Sequence, residues 1–215
     1  MHASTAMPAD EDTSTRHPVV IIGAGPVGLM AGLVLTEAGV PVEIYERNLE
    51  QMNELRSAGL QPRMLEVLDH YGIVDRFIEV GNPITAVQVY LKGTFIPSAG
   101  FDSIRTEYPF VLGCGQNTTE ILLHQRLAEL GVHVQRGWRY VAHATTDDAA
   151  CVDVQLARVD SDEVMERRAC YMLGCDGGRS SVRKAIGAQF IGKKTNEKIV
   201  ACDMKVDADQ LPAAW

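Results

Sequence analysis

With 215 residues, 46% hydrophobic and 22% charged, the chain is long enough to bury a sizeable core and too apolar for a disordered or fibrous polymer. Its 28 acidic against 20 basic side chains give a net charge of -8, which removes the basic footprint of a general nucleic-acid binder. Five cysteines (Cys114, Cys151, Cys170, Cys175 and Cys202) form an odd set without a CxxC pair, which argues against a disulfide framework or a zinc site and fits reduced thiols in a cytoplasmic protein.

Residues 1–16, MHASTAMPADEDTSTR, carry Asp10, Glu11 and Asp12 and no apolar run, so they read as a solvated tail and not as a secretory or organellar leader. The next stretch, PVVIIGAGPVGLMAGLVLT from Pro18 to Thr36, has no charge and approaches the ~20 residues that cross a bilayer. Its centre argues otherwise. Gly23, Gly25, Pro26 and Gly28 would cost a helix about 1 kcal/mol for each Gly and about 3 for Pro. The sequence parses instead as a buried β-branched strand Val19 to Ile22, a Gly-rich turn, and a helix from Leu29 to Ala38. Gly28 and Gly32 form a GxxxG, read here as small residues that let the helix lie close to its sheet and not as a membrane-dimer signal. After a turn at Gly39, the apolar run Val42 to Tyr45 gives a second strand that ends in Glu46.

Strand, turn, helix, strand and terminal acid in this order form a dinucleotide-binding unit. Gly23 serves the tight turn, Gly25 the close approach of a phosphate, and Gly28 the packing of helix on strand. The helix N-terminus, worth roughly half a positive charge, faces a diphosphate. Glu46 can accept hydrogen bonds from both hydroxyls of an adenosine ribose, which disfavours a 2′-phosphate there. Pro26, Val27 and Arg47, which flank these positions, belong to the same expected site. The motif alone leaves FAD and NAD open.

Farther on, a helical segment is expected around Gln61 to Gly72 and a strand over Thr85 to Gly93. A helix over Thr118 to Leu130 carries Ile121, Leu122, Leu127 and Leu130 at helical spacing as a core stripe. His133 to Val159 reads as a β-meander with a turn at Asp147 to Ala149, and Glu166 to Arg168 as a solvated strand face. From Tyr171 to Gly187 the pattern of strand, turn and helix recurs. Asp176 stands at the strand's end, Gly177 and Gly178 permit a bend, Ser180 or Ser181 caps the helix, and Arg183 reaches back across its first turn. Cys175 is expected to be a small residue at a strand end and not a nucleophile. The six histidines lack ligand spacing and no GxSxG or HExxH occurs, so no metal site is expected.

GAGPVG with Glu46, the segment LRSAGLQPRMLEVLDHYGI (Leu55 to Ile73), GQNTTEILLHQRLAELGV (Gly115 to Val132) and CDGGRSSVR together resemble the N-terminal part of the class A FAD-dependent aromatic monooxygenases, the flavoprotein hydroxylases that include p-hydroxybenzoate and phenol hydroxylases. The likeness runs from Pro18 to about Asp207. It implies FAD as cofactor, held by Gly23, Gly25, Pro26, Val27, Gly28, Glu46, Arg47, Arg56, Gln116, Asp176 and Gly177, with Glu120 structural. In the family the Asp-Gly motif also serves the pyridine nucleotide, which implies NADH or NADPH as co-substrate. The implied fold is α/β: a Rossmann-like FAD-binding domain, with a parallel sheet, a βαβ unit and a β-meander, plus the first strands of a second, β-rich substrate domain. On that reading residues 17–81 and 113–187 form the FAD-binding domain, 82–112 are a strand excursion to the substrate domain, and 188–215 begin that domain, with Lys198 to Gln210 as a strand. Family members are longer and carry a later Gly-Asp motif that this sequence lacks, so the chain looks truncated.

The implied activity is hydroxylation of a small aromatic, phenolic substrate with NAD(P)H and O2 through a flavin C4a-hydroperoxide. The cofactor carries the hard step, while the protein supplies a nucleotide grip, a water-poor pocket and a route for the hydride donor. No catalytic side chain is assigned. No CxxxxC follows the first βαβ unit, which sets the chain apart from glutathione-reductase-like flavoenzymes. Two alternatives stay open: a related flavin halogenase, epoxidase or reductase with the same grip, and a non-catalytic nucleotide-binding module. The expected partner is a small aromatic molecule, without nucleic acid or a transmembrane segment, and a homo-oligomer is left open.

Overall fold

Four consecutive β-branched residues, Val19–Ile22, form β1, and every one of them is buried. The computed structural model describes residues 17–51, 59–97, 100–146 and 150–192. After β1 come α1 (Pro26–Glu37), β2 (Val42–Glu46), β3 (Gly59–Leu60), α2 (Pro62–His70), α3 (Val74–Val80), β4 (Asn82–Ile84), β5 (Val89–Leu91), β6 (Thr94–Ile96) and β7 (Val111–Gly113). Then follow α4 (Gln116–Glu129), β8 (Val134–Arg136), β9 (Trp138–Thr145), β10 (Val152–Arg158), β11 (Val164–Ala169), β12 (Tyr171–Gly174) and α5 (Ser181–Ala185).

The continuous apolar run of β1 is explained by its place. It lies inside a parallel sheet ordered β12-β1-β2-β8 and is covered on both faces. Val19 and Ile21 face a core made with Leu29 and Leu33 of α1, Ile44 of β2, and Leu123 and Leu127 of α4. Val20 and Ile22 turn the other way, onto Tyr45, Tyr140, Val154, Leu156 and Ala169. That second layer is the antiparallel meander β9-β10-β11. Each large side chain so buried contributes about 1.5–3 kcal/mol relative to exposure. A third, small sheet, β3-β7-β4, and the hairpin β5-β6 are built from residues 59–113.

Several sequence expectations change in detail. Helix α1 starts at Pro26 and not at Leu29, because Pro at the first helical position loses no bond it would otherwise make. The segment at Gln61 to Gly72 holds α2, and a second helix, α3, follows that the sequence reading did not foresee. Of the expected strand Thr85 to Gly93 only Val89–Leu91 is extended in a sheet, folded into a hairpin over the turn at Lys92 and Gly93, while a separate strand before it, Asn82–Ile84, pairs antiparallel with β7. Helix α4 begins at Gln116, and its buried stripe is Thr119, Leu123 and Leu127, leaving Ile121 41% exposed. An i, i+4, i+8 row defines the inward face, and Ile121 lies off it. Val134–Arg136, read as part of the meander, is instead the outer strand of the parallel sheet. The turn at residues 147–149, the strand at 198–210 and the tail 1–16 lie outside the described residues. Among the described residues no helix is long and apolar enough to cross a membrane.

Space beside the α1 glycines separates them in kind. A Cβ added at Gly28 would stand 1.9 Å from the Gly23 carbonyl oxygen, a backbone atom that cannot move without opening the turn. One added at Gly32 would meet only the tip of Ile44, at 2.7 Å. Gly28→Ala is therefore expected to lower stability by about 1–3 kcal/mol. Gly32→Ala is expected to stay within about 1 kcal/mol of the parent, helix propensity offsetting the crowding. Urea denaturation followed by circular dichroism measures both; equal effects would contradict this assignment.

Candidate functional site

The C-terminal ends of β1, β2 and β12 are tied into one unit. Gly23 N–H donates to the Tyr45 carbonyl oxygen at 2.8 Å, and Cys175 N–H donates to that of Ile22 at 2.8 Å. Gly23 has φ +104°, in the region that side chains disfavour, and an added Cβ would be 2.4 Å from the Cys175 carbonyl oxygen. This position demands glycine on both counts. Two residues on, a Cβ at Gly25 would meet nothing within 4 Å. Gly25 is the N-cap of α1, extended and without a side-chain capping bond. The first N–H groups of an α-helix have no partner within it, so the first turn of α1 leaves Val27 and Gly28 amides directed along the axis with its partial positive charge.

Glu46 stands at the end of β2 beside this turn. Its Oε2 accepts from Ala24 N–H at 2.9 Å and its Oε1 from Asn48 N–H at 2.9 Å. Both oxygens keep a further lone pair. The carboxylate is thus fixed by main-chain donors while still able to accept from a ligand. Behind it, the Tyr45 hydroxyl donates to Glu43 Oε2 at 2.5 Å and accepts from Arg167 Nε at 3.0 Å. Arg167, expected on a solvated face, thereby ties β11 to β2, and its guanidinium also lies 3.6 Å from Glu43.

On the other flank, Asp176 follows β12 and is directed into the start of α5. Oδ2 accepts from Ser181 N–H at 2.5 Å and Val182 N–H at 3.2 Å, and Oδ1 accepts from the Ser180 hydroxyl. Ser180 is the N-cap, accepting from Arg183 N–H at 2.9 Å, and Arg183 Nη1 donates to the Gly178 carbonyl oxygen at 3.1 Å. Most of the acceptor capacity of Asp176 is committed to shaping this turn. Burial, and then the Asp176 carboxylate, push the Cys175 thiol up, which keeps it protonated and unreactive.

These elements border a cavity of about 530 Å³. It brings together Gly23, Gly25, Pro26, Val27, Glu46, Arg47, Gln116, Asp176 and Gly177 from the expected site. Gly28 is not on its wall but lies beneath the turn, where it supports Gly23. Arg56 lies outside the described residues. Gln116 is the first residue of α4 and not a residue before it. Its Nε2 donates to Glu120 Oε1 at 2.8 Å, and Glu120, expected to be structural, also borders the cavity. Arg136, Trp138, Arg139 and Tyr140 line it as well and were missed. They come from the joint between β8 and β9, and the register that sets Arg136 opposite Glu46 has no local sequence signal. The single Gly137 between β8 and β9 was the one cue available. Among the described residues no group of His, Cys, Asp and Glu could hold a metal ion.

An uncapped helix N-terminus, a turn stripped of side chains and a fixed carboxylate suit a diphosphate attached to a sugar. The comparisons agree with that chemistry. Residues 16–215 match the family model described as "FAD binding domain". A rifampicin monooxygenase of Streptomyces venezuelae is 33% identical over 89% of this chain. In solved structures, the anhydrotetracycline hydroxylase OxyS of Streptomyces rimosus aligns with TM-score 0.72 at 32% identity over 84% of this chain and 36% of its own. The p-nitrophenol 4-monooxygenase PnpA of Pseudomonas putida aligns with TM-score 0.76 at 25% identity over 83% of this chain and 45% of its own. The chain spans 38% of the length of the rifampicin monooxygenase.

Burial, and then the hydrogen bond to Glu43, push the Tyr45 phenol from the usual 10 up to about 12, against the opposing pull of Arg167. Because the folded value is the higher one, the stability this contributes is complete below pH 10 and is lost as pH rises through about 12. Burial also pushes the Tyr108 and Tyr140 phenols up, so spectrophotometric titration of the six tyrosines is expected to show several late phenols, of which the last to ionise disappears in Tyr45→Phe. A titration curve unchanged by that substitution would contradict the assignment.

Proposed function

Because this chain belongs to the FAD binding domain family, we propose that the cavity holds FAD and that the chain is the nucleotide-gripping part of a flavin-dependent monooxygenase acting on an aromatic small molecule. The observation that carries the reading is the pairing of bare Gly25 at an uncapped α1 with Glu46 fixed by Ala24 N–H. The Val27 amide, with the positive end of the α1 dipole behind it, holds the diphosphate, and Glu46 takes the adenosine ribose hydroxyls. Arg47 and Arg136 add positive charge along the same wall. Arg56 belongs to the proposed set on resemblance alone.

Gln116 spends one Nε2 N–H on Glu120 and offers its carbonyl oxygen and second N–H to a ligand. On the β12 side, Gly177 gives close approach to main chain, and nothing lies within 4 Å of an added Cβ there. Asp176 acts mainly by rigidifying that turn. FAD held there would supply the redox chemistry: NADH or NADPH would be its reductant, and one atom of O2 would go to the aromatic ring and the other to water. The residues of this chain bind and orient the cofactor. The aromatic substrate class rests on the relatives, among them enzymes named for rifampicin, anhydrotetracycline and p-nitrophenol.

Removing the Glu46 carboxylate deletes charge-assisted hydrogen bonding worth about 1.5–3 kcal/mol in all. Glu46→Ala is expected to weaken FAD binding roughly 10- to 100-fold. Quenching of FAD fluorescence on titration with protein reads the affinity, with circular dichroism confirming that the variant folds. An unchanged affinity in a folded variant would remove the proposed role of Glu46.

A further inference from the structure

The strands of the parallel sheet end in a row, and their order places each part of the ligand. The glycine turn after β1 has β12 on one side and β2, ending in Glu46, on the other. Beyond β2 lies β8, where Arg136 is the register partner of Glu46, and Gly137 and Trp138 follow directly. With the diphosphate at β1 and the ribose at β2, the base carried by that ribose falls next in line, at the joint between β8 and β9.

What stands there is a braced indole. Trp138 is half-buried, packed against the core of Tyr140, Val154 and Leu156, and borders the same cavity as Glu46. The Arg158 guanidinium carbon lies 5.3 Å from the centre of the Trp138 ring. Arg158 is held in turn by Asp160, at 2.9 and 2.8 Å, and by the Arg136 carbonyl oxygen, at 3.1 Å. Arg158 itself does not border the cavity. Gly137 makes room for this brace. Its φ is +81°, and an added Cβ would lie 3.0 Å from Arg158 Nη1 and 2.9 Å from Leu49 Cδ2. An aromatic side chain, held by a cation over its ring and by apolar packing, thus stands at the outer end of the cavity.

We propose that Trp138, braced by Arg158, is the stacking platform for the adenine of FAD. The proposal rests on the FAD reading above and adds to it a residue, with FMN, which lacks the base, as the control ligand.

Isothermal calorimetry on the full chain with FAD, ADP and FMN tests it. Wild-type protein is expected to bind FAD and ADP and to bind FMN much more weakly. Trp138→Ala is expected to lose about 5- to 150-fold for FAD and ADP alike, the range of one base-stacking contact. Trp138→Phe, which keeps an aromatic face, is expected to stay within roughly threefold of wild type. Undiminished FAD and ADP binding by Trp138→Ala, a loss in Trp138→Phe equal to that in Trp138→Ala, or FMN binding as tight as FAD would each overturn the platform while leaving FAD binding itself intact. Failure of wild-type protein to bind FAD would instead remove the underlying reading, and the platform with it. A second measurement does not depend on the folding of a Trp138 variant. In Trp215→Phe protein, Trp138 is the one remaining tryptophan. ADP is expected to quench its emission with the calorimetric affinity, and emission unchanged at saturating ADP would overturn the proposal.

Discussion

Three strand ends and one helix start meet at a point where there is no room for a side chain. Gly23 N–H is bound to the end of β2 and Cys175 N–H to the end of β1. A Cβ on Gly23 would strike the backbone at Cys175, and one on Gly28 would strike Gly23. This steric exclusion brings α1 close to β1 and leaves its first amides uncovered. An exposed helix N-terminus with its dipole unopposed is an anion site by construction. The bond from Ala24 N–H fixes the distance between that helix start and the Glu46 carboxylate, the group proposed to take the sugar.

The surrounding layers hold this point in place. Helices α1 and α4 cover one face of the sheet and are joined at the surface by Arg126 and Glu37 at 2.7 Å, a pair exposed enough to contribute under about 1 kcal/mol. On the opposite face the meander contributes more than cover. Arg167 of β11 reaches Tyr45, one residue before Glu46, and Trp138 of β9 stands on the cavity wall. The meander thus acts on the site from two directions, bracing the strand that carries the acid and extending the wall beyond it.

Legibility in the sequence follows the range of the interaction. The βαβ unit was readable because its signals are local: β-branched residues for a strand buried on both faces, glycines where the backbone crowds, an acid at the second strand's end. The turn from Asp176 to Arg183 was readable for the same reason, since its bonds run over only a few residues. Arg136 and Trp138 were not, because their place depends on a parallel register between β2 and β8, about ninety residues apart in the chain. Arg167 looked like a solvated charge until the tertiary fold brought Tyr45 beneath it. Ile121 was assigned to the core from hydrophobicity at helical spacing, whereas Thr119 took the inward position, its hydroxyl donating to the Gly115 carbonyl oxygen at 3.2 Å.

The central claim is that uncovered main-chain amides at the start of α1, with the neighbouring acid, hold the diphosphate and ribose of a flavin dinucleotide. Amide chemical shifts of isotope-labelled chain, followed by NMR as FAD is added, test this most directly. The largest shifts are expected at Gly25, Val27, Gly28 and Glu46, with the hairpin at Val89–Ile96 unmoved. Saturation with FAD that leaves the first turn of α1 unshifted would contradict the account.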